Sequence, residues 1–276
     1  MKKNILLPTD FSDNAWSAAV YALKLYAQEE CTFYFVHSIK MKLSTRSNLS
    51  NKLLNILKEN AMKELLVLKE MAQTSNTNPN HDFEIILSQD NLQATIETMI
   101  KKNQIDLIVM GKKGVTRDKE LFFGGNTVDS LKKIRLCPIL IIPEDYDFVK
   151  PKQIAFPTDF DRFFEDKELR PLKDLAELNN SKIRIVHINV EPHLNDIQEY
   201  NFTTLKNYLE DYELSCHWMP NYAKKTNEIV DFIKDLKIDL LAMVNYKHGF
   251  IENIIKEPII KKMGMHPIIP FLVIPG

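Results

Sequence analysis

Short apolar runs alternate along this chain with longer segments in which apolar residues recur at helical spacing. The runs have the length of buried strands, and the longer segments have the length of amphipathic helices. In the first half, the predicted strands are at residues 5–7, 32–39, 83–87, 106–110 and 139–142. The predicted helices lie within residues 11–29 and at 49–72, 92–102 and 124–135. This alternation predicts an α/β fold, with a parallel sheet covered by helices on both faces.

The second half of the chain repeats this order in less space. Its predicted strands are at residues 153–156, 183–189, 214–219, 239–243 and 269–274. The repeat is visible in the letters too, because ILLPTDF at 5–11 returns as IAFPTDF at 154–160, and three further blocks recur in the same order. We therefore predict two tandem domains, 1–146 and 150–276, each with its own five-stranded parallel sheet and core.

Composition and charge exclude several classes of protein. Lys and Arg number 36 against 37 Asp and Glu, a net charge of −1, so the basic surface of a nucleic-acid-binding protein is not expected. Cys31, Cys137 and Cys216 are too few and too widely spaced for a disulfide framework or a zinc site, which favours a reducing compartment. No apolar run approaches the roughly 18 residues of a membrane span. We expect a cytoplasmic protein with neither nucleic-acid nor membrane partners.

Candidate binding residues follow three of the strands in the first half. They are Pro8-Thr9-Asp10, His37-Ser38 and Met110-Gly111. Parallel sheets bind ligands beyond the carboxyl ends of their strands, where the strand order reverses, so these residues mark a candidate site. Asp10 has a second interpretation as a helix cap beside Ser12. His37 recurs as His187 in the repeat, which favours a packed histidine over a catalytic one.

A glycine-rich stretch, GKKGVTRDKELFFGGNT at residues 111–127, follows the fourth strand. It has the pattern G-x2-G-x9-G, and it begins where a strand ends and closes where a helix is predicted. Gly111 and Gly114 can adopt positive φ and allow a ligand close to the backbone. Paired glycines can also be simple turns, so the pattern alone does not decide between the two interpretations.

The end of this stretch lies at the start of the last predicted helix of the first half. Gly124 and Gly125 would present free backbone amides there, and the helix dipole favours an anion such as phosphate. Asn126 and Thr127 add side-chain donors in the first turn. The combination predicts a phosphate-binding loop.

Together these motifs resemble the universal stress protein family, in the tandem form with two domains in one chain. The resemblance covers almost the whole length. It rests on P-T-D-F-S in the first block, on V-H at the end of the second strand, and on M-G-x2-G-x9-G-x-N-T followed by P-I-L-I-I-P. It implies a Rossmann-like fold of the adenine nucleotide alpha hydrolase type. It also implies ATP or another adenine nucleotide as ligand.

The resemblance assigns the nucleotide site to the first domain. Asp10, with Pro8 and Thr9 beside it, would meet the ribose and could hold Mg²⁺ brought by the nucleotide. Ser38, through its backbone, and Met110 would line the adenine. The ribose and phosphates would be held by Gly111, Gly114, Gly124, Gly125, Asn126 and Thr127. Gly125 stands where the family pattern has Ser or Thr, so a hydroxyl is lost while a backbone amide remains.

The second domain departs much further from the pattern. Its sequence at residues 244–260 is VNYKHGFIENIIKEPII, in which Gly249 is the only glycine. Glu257 and Pro258 occupy the region of the helix entry, where an acidic side chain repels phosphate and proline removes an amide donor. We therefore predict a second domain that binds no nucleotide and is kept for packing.

Three functions remain open at this point. The leading one is a nucleotide-binding stress-response protein. The others are an interaction or scaffold module that has lost its nucleotide site, and a slow ATP hydrolase using Mg²⁺ at Asp10. The sequence lacks the Walker lysine, G-x-S-x-G and H-E-x-x-H motifs, so an efficient enzyme is not expected.

The assembly of the chain is predicted from its two short final strands, 139–142 and 271–274. Both are strongly apolar and lie between prolines. An exposed edge of this character invites aggregation. In the resembled family single-domain members pair through this strand, so we expect the two domains to pair internally through it. A homodimer of the whole chain stays open.

Overall fold

A computed structural model describes residues 2–39, 48–111, 134–188, 193–219, 232–246 and 269–276. The chain divides into two compact units, Met1–Phe148 and Val149–Gly276. Among the helices in these described ranges, none is both long enough and apolar enough to cross a membrane.

The first unit alternates strands and helices as predicted. Its elements are β1 (Lys3–Pro8), α1 (Asp13–Leu25), β2 (Cys31–Ser38), α2 (Asn48–Ser75), β3 (His81–Ser88), α3 (Leu92–Asn103), β4 (Leu107–Gly111) and β5 (Ile139–Ile142). The strands lie in the order β3-β2-β1-β4-β5, and every neighbouring pair is parallel. Residues 124–133 of the last predicted helix fall outside the described ranges. Ile134 and Arg135, which were predicted to end it, are not helical.

Local sequence explains where the helices of this unit begin. Ser12 caps α1, since its hydroxyl accepts a hydrogen bond from the Ala15 amide at 3.3 Å. Asn91 caps α3 in the same way through the Ala94 amide, at 3.0 Å. α1 then buries a stripe of small residues, which lets its axis approach the sheet closely; these are Ala18, Ala19 and Ala22.

The second unit contains the same order of strands with a different helix after its first strand. Its elements are β6 (Gln153–Thr158), a 3-10 helix (Asp166–Leu169), α4 (Arg170–Asn179), β7 (Lys182–Ile188), α5 (Asp196–Tyr208), β8 (Leu214–Met219), β9 (Leu240–Asn245) and β10 (Phe271–Pro275). The order is β10-β9-β6-β7-β8, again with parallel pairs. The predicted α/β fold with parallel sheets is confirmed.

Strand register matches the first and fourth strands of the two units. In the first unit Ile5 lies beside Leu107, and in the second Ile154 lies beside Leu240. Position 5 therefore corresponds to 154, and position 107 to 240. With the same offsets along the chain, Asp10 corresponds to Asp159, and Gly111 corresponds to Val244.

The core of each unit is formed by strands that are buried on both faces, as expected for parallel sheets. Phe33, Phe35 and Ile108 are almost fully buried in the first unit. Ile154 and Phe156 have the same character in the second. The polar residues of interest therefore lie where these strands end.

Candidate functional site

The candidate site of the first unit lies where the strand order reverses. The chain passes from β1 to β2 and β3 on one side, then crosses to β4 on the other side of β1. Ligands of parallel α/β sheets bind beyond the carboxyl ends of the strands at this point. β1, β2 and β4 end at Pro8, Ser38 and Gly111. The structure therefore brings the described candidate residues to one edge of the sheet.

The turn after β1 fixes the position of Asp10. The Phe11 amide donates to Thr9 Oγ1 at 3.0 Å, and Phe11 takes a left-handed φ of 64°. Asp10 Oδ1 accepts from the Ser12 amide at 3.2 Å and from the Ser12 hydroxyl at 2.5 Å. Asp10 itself remains exposed.

These bonds settle the alternative role of Asp10. Ser12, not Asp10, is the residue that caps α1. Asp10 acts one step earlier, because its carboxylate accepts from the Ser12 hydroxyl and so orients the cap. An exposed carboxylate held in one direction at the end of β1 is suited to accept hydrogen bonds from hydroxyl groups of a ligand.

His37 fixes the backbone beside this turn. Its Nδ1 lies 2.8 Å from the Thr9 carbonyl oxygen. A carbonyl can only accept, so Nδ1 carries the proton and donates. The ring also packs against Phe11, with centroids 4.4 Å apart. These contacts hold the end of β1 against the end of β2.

Ser38 uses its side chain for the fold. Its hydroxyl donates to the Asp90 carbonyl, which ties the end of β2 to the loop before α3. Ser88, its neighbour in register on β3, accepts from Thr95 Oγ1 at 2.8 Å. The side chain of Ser38 is thus engaged within the fold, and Asp90, Ser88 and Thr95 are supporting residues that sequence reasoning missed.

Gly111 is required by the close approach of α1 to β4. A β-carbon at this position would lie 2.5 Å from the Asn14 carbonyl oxygen and 2.9 Å from its carbon, which are backbone atoms of the first turn of α1. Its φ does not lie in the left-handed region. The glycine is therefore explained by space beside α1, without a positive φ. The neighbouring Met110 is buried.

The phosphate-binding part of the predicted site lies outside the described residues. This applies to Gly114, Gly124, Gly125, Asn126 and Thr127. Their assignment stays a prediction from the sequence.

The second unit repeats the turn after its first strand. The Phe160 amide donates to Thr158 Oγ1 at 3.1 Å, and the Asp161 amide donates to Asp159 Oδ1 at 3.1 Å. Phe160 has a left-handed φ of 59°, like its counterpart Phe11. The P-T-D-F sequence thus builds the same turn in both units.

What surrounds the turn differs. The Tyr246 hydroxyl donates to Asp159 Oδ1 at 3.4 Å, and the Gln198 amide donates to the Asp159 carbonyl at 3.1 Å. Burial, together with the charges of Asp159 and Asp161, raises the pKa of the Tyr246 hydroxyl, which therefore remains a donor. Asp159 is thus engaged by the unit's own side chains.

Arg162 packs over the ring of Tyr246, which contacts Asp159. Its guanidinium carbon lies 5.0 Å from the centre of the Tyr246 ring, and it forms an ion pair with Glu168. Gly276 packs closely against Arg162 and Val244, since a β-carbon at this position would lie 3.1 Å from Arg162 Nη1 and 2.7 Å from a Val244 methyl carbon. The chain's own atoms therefore occupy the space beside Asp159.

The helix position explains how Val244 replaces glycine. α1 begins at Asp13, three residues after Asp10, whereas the first helical segment of the second unit begins at Asp166, seven residues after Asp159. The extra residues form a loop where the first unit has the start of α1. The side chain of Val244 is accordingly accommodated and buried.

His187, the counterpart of His37, is enclosed by aromatic rings. It stacks on Phe160 with centroids 4.8 Å apart and meets Trp218 edge-on at 4.9 Å. Burial lowers its pKa below the usual value, against the opposing effects of the Thr158 backbone and of Asp159 and Asp161. The ring is therefore neutral at pH 7 and serves packing.

The described residues contain no group of three or more His, Cys, Asp or Glu side chains that could hold a metal ion. Asp10 is the exposed carboxylate at the end of β1. One carboxylate is compatible with Mg²⁺ that arrives on a nucleotide, since this ion keeps several waters and is held mainly by phosphate oxygens.

The strand order, the switch point and the duplicated turn define a doubly wound α/β protein with two related units. The model of the universal stress protein family matches residues 1–143 of the 276, and the chain belongs to this family. No curated protein matches its sequence.

Solved structures share the fold along nearly the whole chain. A universal stress protein from Archaeoglobus fulgidus DSM 4304 has a TM-score of 0.67 at 15% identity, covering 98% of this chain and 95% of its own. A putative universal stress protein from Pseudomonas aeruginosa UCBPP-PA14 gives 0.57 at 14% identity, covering 99% and 92%. The cytoplasmic domain of a prokaryotic cation chloride cotransporter gives 0.56 at 10% identity, covering 99% and 95%. The TM-scores establish a common fold, and at these low identities they establish the fold alone.

Proposed function

We propose that this universal stress protein binds ATP or a related adenine nucleotide in its first unit, as part of a stress response, and that its second unit does not. The observation that carries the proposal is the contrast at one matched position. Asp10 is exposed and oriented by Ser12. Asp159 is partly exposed and accepts a hydrogen bond from Tyr246, whose ring lies under Arg162.

The described residues support specific roles in the first unit. Asp10 would accept hydrogen bonds from the ribose hydroxyls and could contact Mg²⁺ on the nucleotide. Pro8 and Thr9 would line the site from the end of β1. The backbone at Ser38 and the strand at Met110 would border the adenine.

Phosphate binding is assigned to residues beyond β4. Gly111 ends β4 next to α1, and the glycine pattern that follows it is suited to backbone contacts with phosphates. Gly114, Gly124, Gly125, Asn126 and Thr127 would supply these contacts. In the second unit Val244 stands in place of Gly111, and the pattern is lost.

An interaction module without nucleotide is the competing function, and the shared fold of a cotransporter's cytoplasmic domain shows that this architecture also occurs in a different setting. Calorimetric titration with MgATP separates the two. We expect one site per chain, and a stability gain of about 2.7 kcal/mol at a ligand concentration a hundredfold above Kd. Phosphate release, followed over hours, tests for slow hydrolysis at the same site.

Two matched variants locate the site. Asp10→Ala should weaken MgATP binding, because the ribose loses its acceptor. Asp159→Ala is the control, since its carboxylate is already bonded within the second unit, and it should leave the affinity unchanged. Two equal sites per chain, or equal effects of the two substitutions, would contradict the proposal.

A further inference from the structure

The edge strand β8 of the second unit carries none of the residues that usually protect a sheet edge. It is the last strand in the order β10-β9-β6-β7-β8, and within the described ranges no strand pairs with its outer side. Exposed edges normally carry charges, proline or bulges that prevent pairing with another chain. β8, with the sequence LSCHWM, contains no Asp, Glu, Lys, Arg or Pro.

The opposite case is found on the edge strand of the first unit. β3 ends the order β3-β2-β1-β4-β5 and carries exposed Asp82 and Glu84. Asp82 also forms an ion pair with Lys2. β3 is protected by charge, and β8 is not.

The backbone of β8 shows which groups face outward. The Ile183 amide donates to the Glu213 carbonyl at 2.9 Å, so Glu213 and every second residue after it direct their backbone groups to β7. In a parallel ladder the intervening residues direct theirs to the other side. Leu214, Cys216 and Trp218 therefore present their amides and carbonyls at the free edge.

The side chains of the same three residues share one face of the sheet. They lie in register with Ile183, Ile185 and His187 of β7. Trp218 packs edge-on against His187 but remains 51% exposed. Lys206, whose charge acts on Cys216, lies over the Phe202 ring, with its Nζ 5.3 Å from the ring centre.

The other face of β8 has its polar groups satisfied internally. Arg184 Nη1 donates to Ser215 Oγ at 2.6 Å, and Ser215 Oγ lies 2.8 Å from His217 Nε2. Burial and the charge of Arg184 lower the pKa of His217, so this ring is neutral at pH 7. The strand thus carries no charge on either face.

We propose that β8 is a self-association edge, at which a second copy of this chain adds its own β8 antiparallel about a two-fold axis through Cys216. This register places Leu214 opposite the partner's Trp218, an apolar cross-strand pair. Each outward-facing residue exchanges both backbone hydrogen bonds with its counterpart. A two-fold contact is self-complementary by construction, and it needs a strand that does not repel its own copy.

The same register brings two Cys216 residues opposite each other. Cα atoms of a hydrogen-bonded antiparallel pair are about 5.5 Å apart, within the range that a disulfide spans. Cys31 and Cys137 are buried in the first unit, so Cys216 is the thiol that can report on this contact. The proposal is independent of nucleotide binding.

The experiment combines cross-linking with mass measurement on the full chain. Diamide takes up the two thiol hydrogens as a disulfide forms, and we expect a covalent dimer joined at Cys216. Cys216→Ser should abolish the cross-link while leaving the sedimenting dimer intact. Peptide mapping identifies the joined residues.

Two charge substitutions test the edge itself. Cys216→Lys places two lysines opposite each other and should raise the dimer Kd about tenfold or more, because like charges in direct contact are costly. Glu84→Lys, on the edge strand of the first unit, is the matched control and should not change the Kd. Circular dichroism checks that each variant folds.

Three results would overturn the proposal. They are a monomer at every accessible concentration, a dimer that Cys216→Lys does not weaken, and a dimer that oxidation never joins at Cys216. Because the cross-link uses the unaltered chain, the test stands even if a lysine variant fails to fold.

Discussion

The turns that follow β1 and β6 have the same sequence and the same internal hydrogen bonds, yet they lie in different surroundings. In both, a threonine hydroxyl and an aspartate carboxylate accept amides two residues later, around a phenylalanine with left-handed φ. Beyond the turn, Asp10 faces solvent whereas Asp159 meets Tyr246. The P-T-D-F motif therefore forms a turn in both units, and its presence alone does not indicate a ligand-binding site.

The comparison also separates two reasons for a glycine. Position 111 must be glycine because a β-carbon there would lie 2.5 Å from the carbonyl oxygen of Asn14 in α1. Val244 occupies the matched place in a unit whose first helical segment starts later. Helix position, as well as any ligand, thus decides which residue ends the fourth strand of each unit.

The largest expected effect tests this explanation at Gly111. Gly111→Ala should destabilise the first unit by about 1–3 kcal/mol, and Gly111→Val by more, because added atoms meet the backbone of α1. At Val244 the order should be reversed, with alanine and then glycine progressively less stable than valine. Urea unfolding without nucleotide measures both series.

A neutral Gly111→Ala would contradict the packing explanation. Loss of nucleotide binding in a variant that keeps its stability would instead indicate that the glycine is needed for the ligand.

A second comparison concerns two helix caps. Ser12→Ala and Asn195→Ala each remove a side-chain acceptor at a helix start, and each should cost about 1 kcal/mol. Only Ser12 also donates to Asp10, at 2.5 Å. Ser12→Ala should therefore weaken MgATP binding as well, while Asn195→Ala should not. Equal binding by the two variants would show that Asp10 needs no support from Ser12.

The positions of helices and strands could be predicted from the sequence more completely than the contacts between residues distant along the chain. Strands such as Phe83 to Leu87 are recognisable because local apolar runs determine them. The contact between Gly111 and Asn14 joins residues nearly 100 positions apart, so the glycine alone suggested a ligand or a turn. Tyr246 was visible in the divergent stretch after β9, but its bond to Asp159 depends on the path of the chain. Extending the repeat alignment past Val244 would have placed it near the site.

A smaller effect is expected from acid on the second unit. Burial lowers the folded-state pKa of His187 below its usual value of about 6.5. The unfolded chain therefore takes up a proton at a higher pH than the folded chain does. The contribution of His187 to the free energy of unfolding is therefore fully present above about pH 6.5, and it is lost as the pH drops toward the folded pKa.

His187→Phe provides the control for this pH dependence, since it keeps an aromatic ring beside Phe160 without a titrating group. Its urea midpoint should fall less between pH 7 and pH 5 than that of the unaltered chain. Parallel changes in the two proteins would assign the acid sensitivity to other groups.

The smallest expected effect isolates the bond that distinguishes Asp159 from Asp10. Tyr246→Phe keeps the ring beneath Arg162 but removes the donor to Asp159. The bond is long, at 3.4 Å, so its loss should cost about 0.5 kcal/mol at pH 7. Because burial raises the folded pKa of Tyr246, the unaltered chain should also lose stability as the pH rises above about 10, where the unfolded tyrosine ionises first.

Tyr246→Phe should show less of this alkaline loss, which urea unfolding at pH 7 and pH 10.5 measures. The phenyl ring still fills the space beside Asp159, so calorimetry should continue to find one MgATP site per chain. A second site in this variant would mean that the hydroxyl, and not the bulk of the side chain, keeps nucleotide out of the second unit.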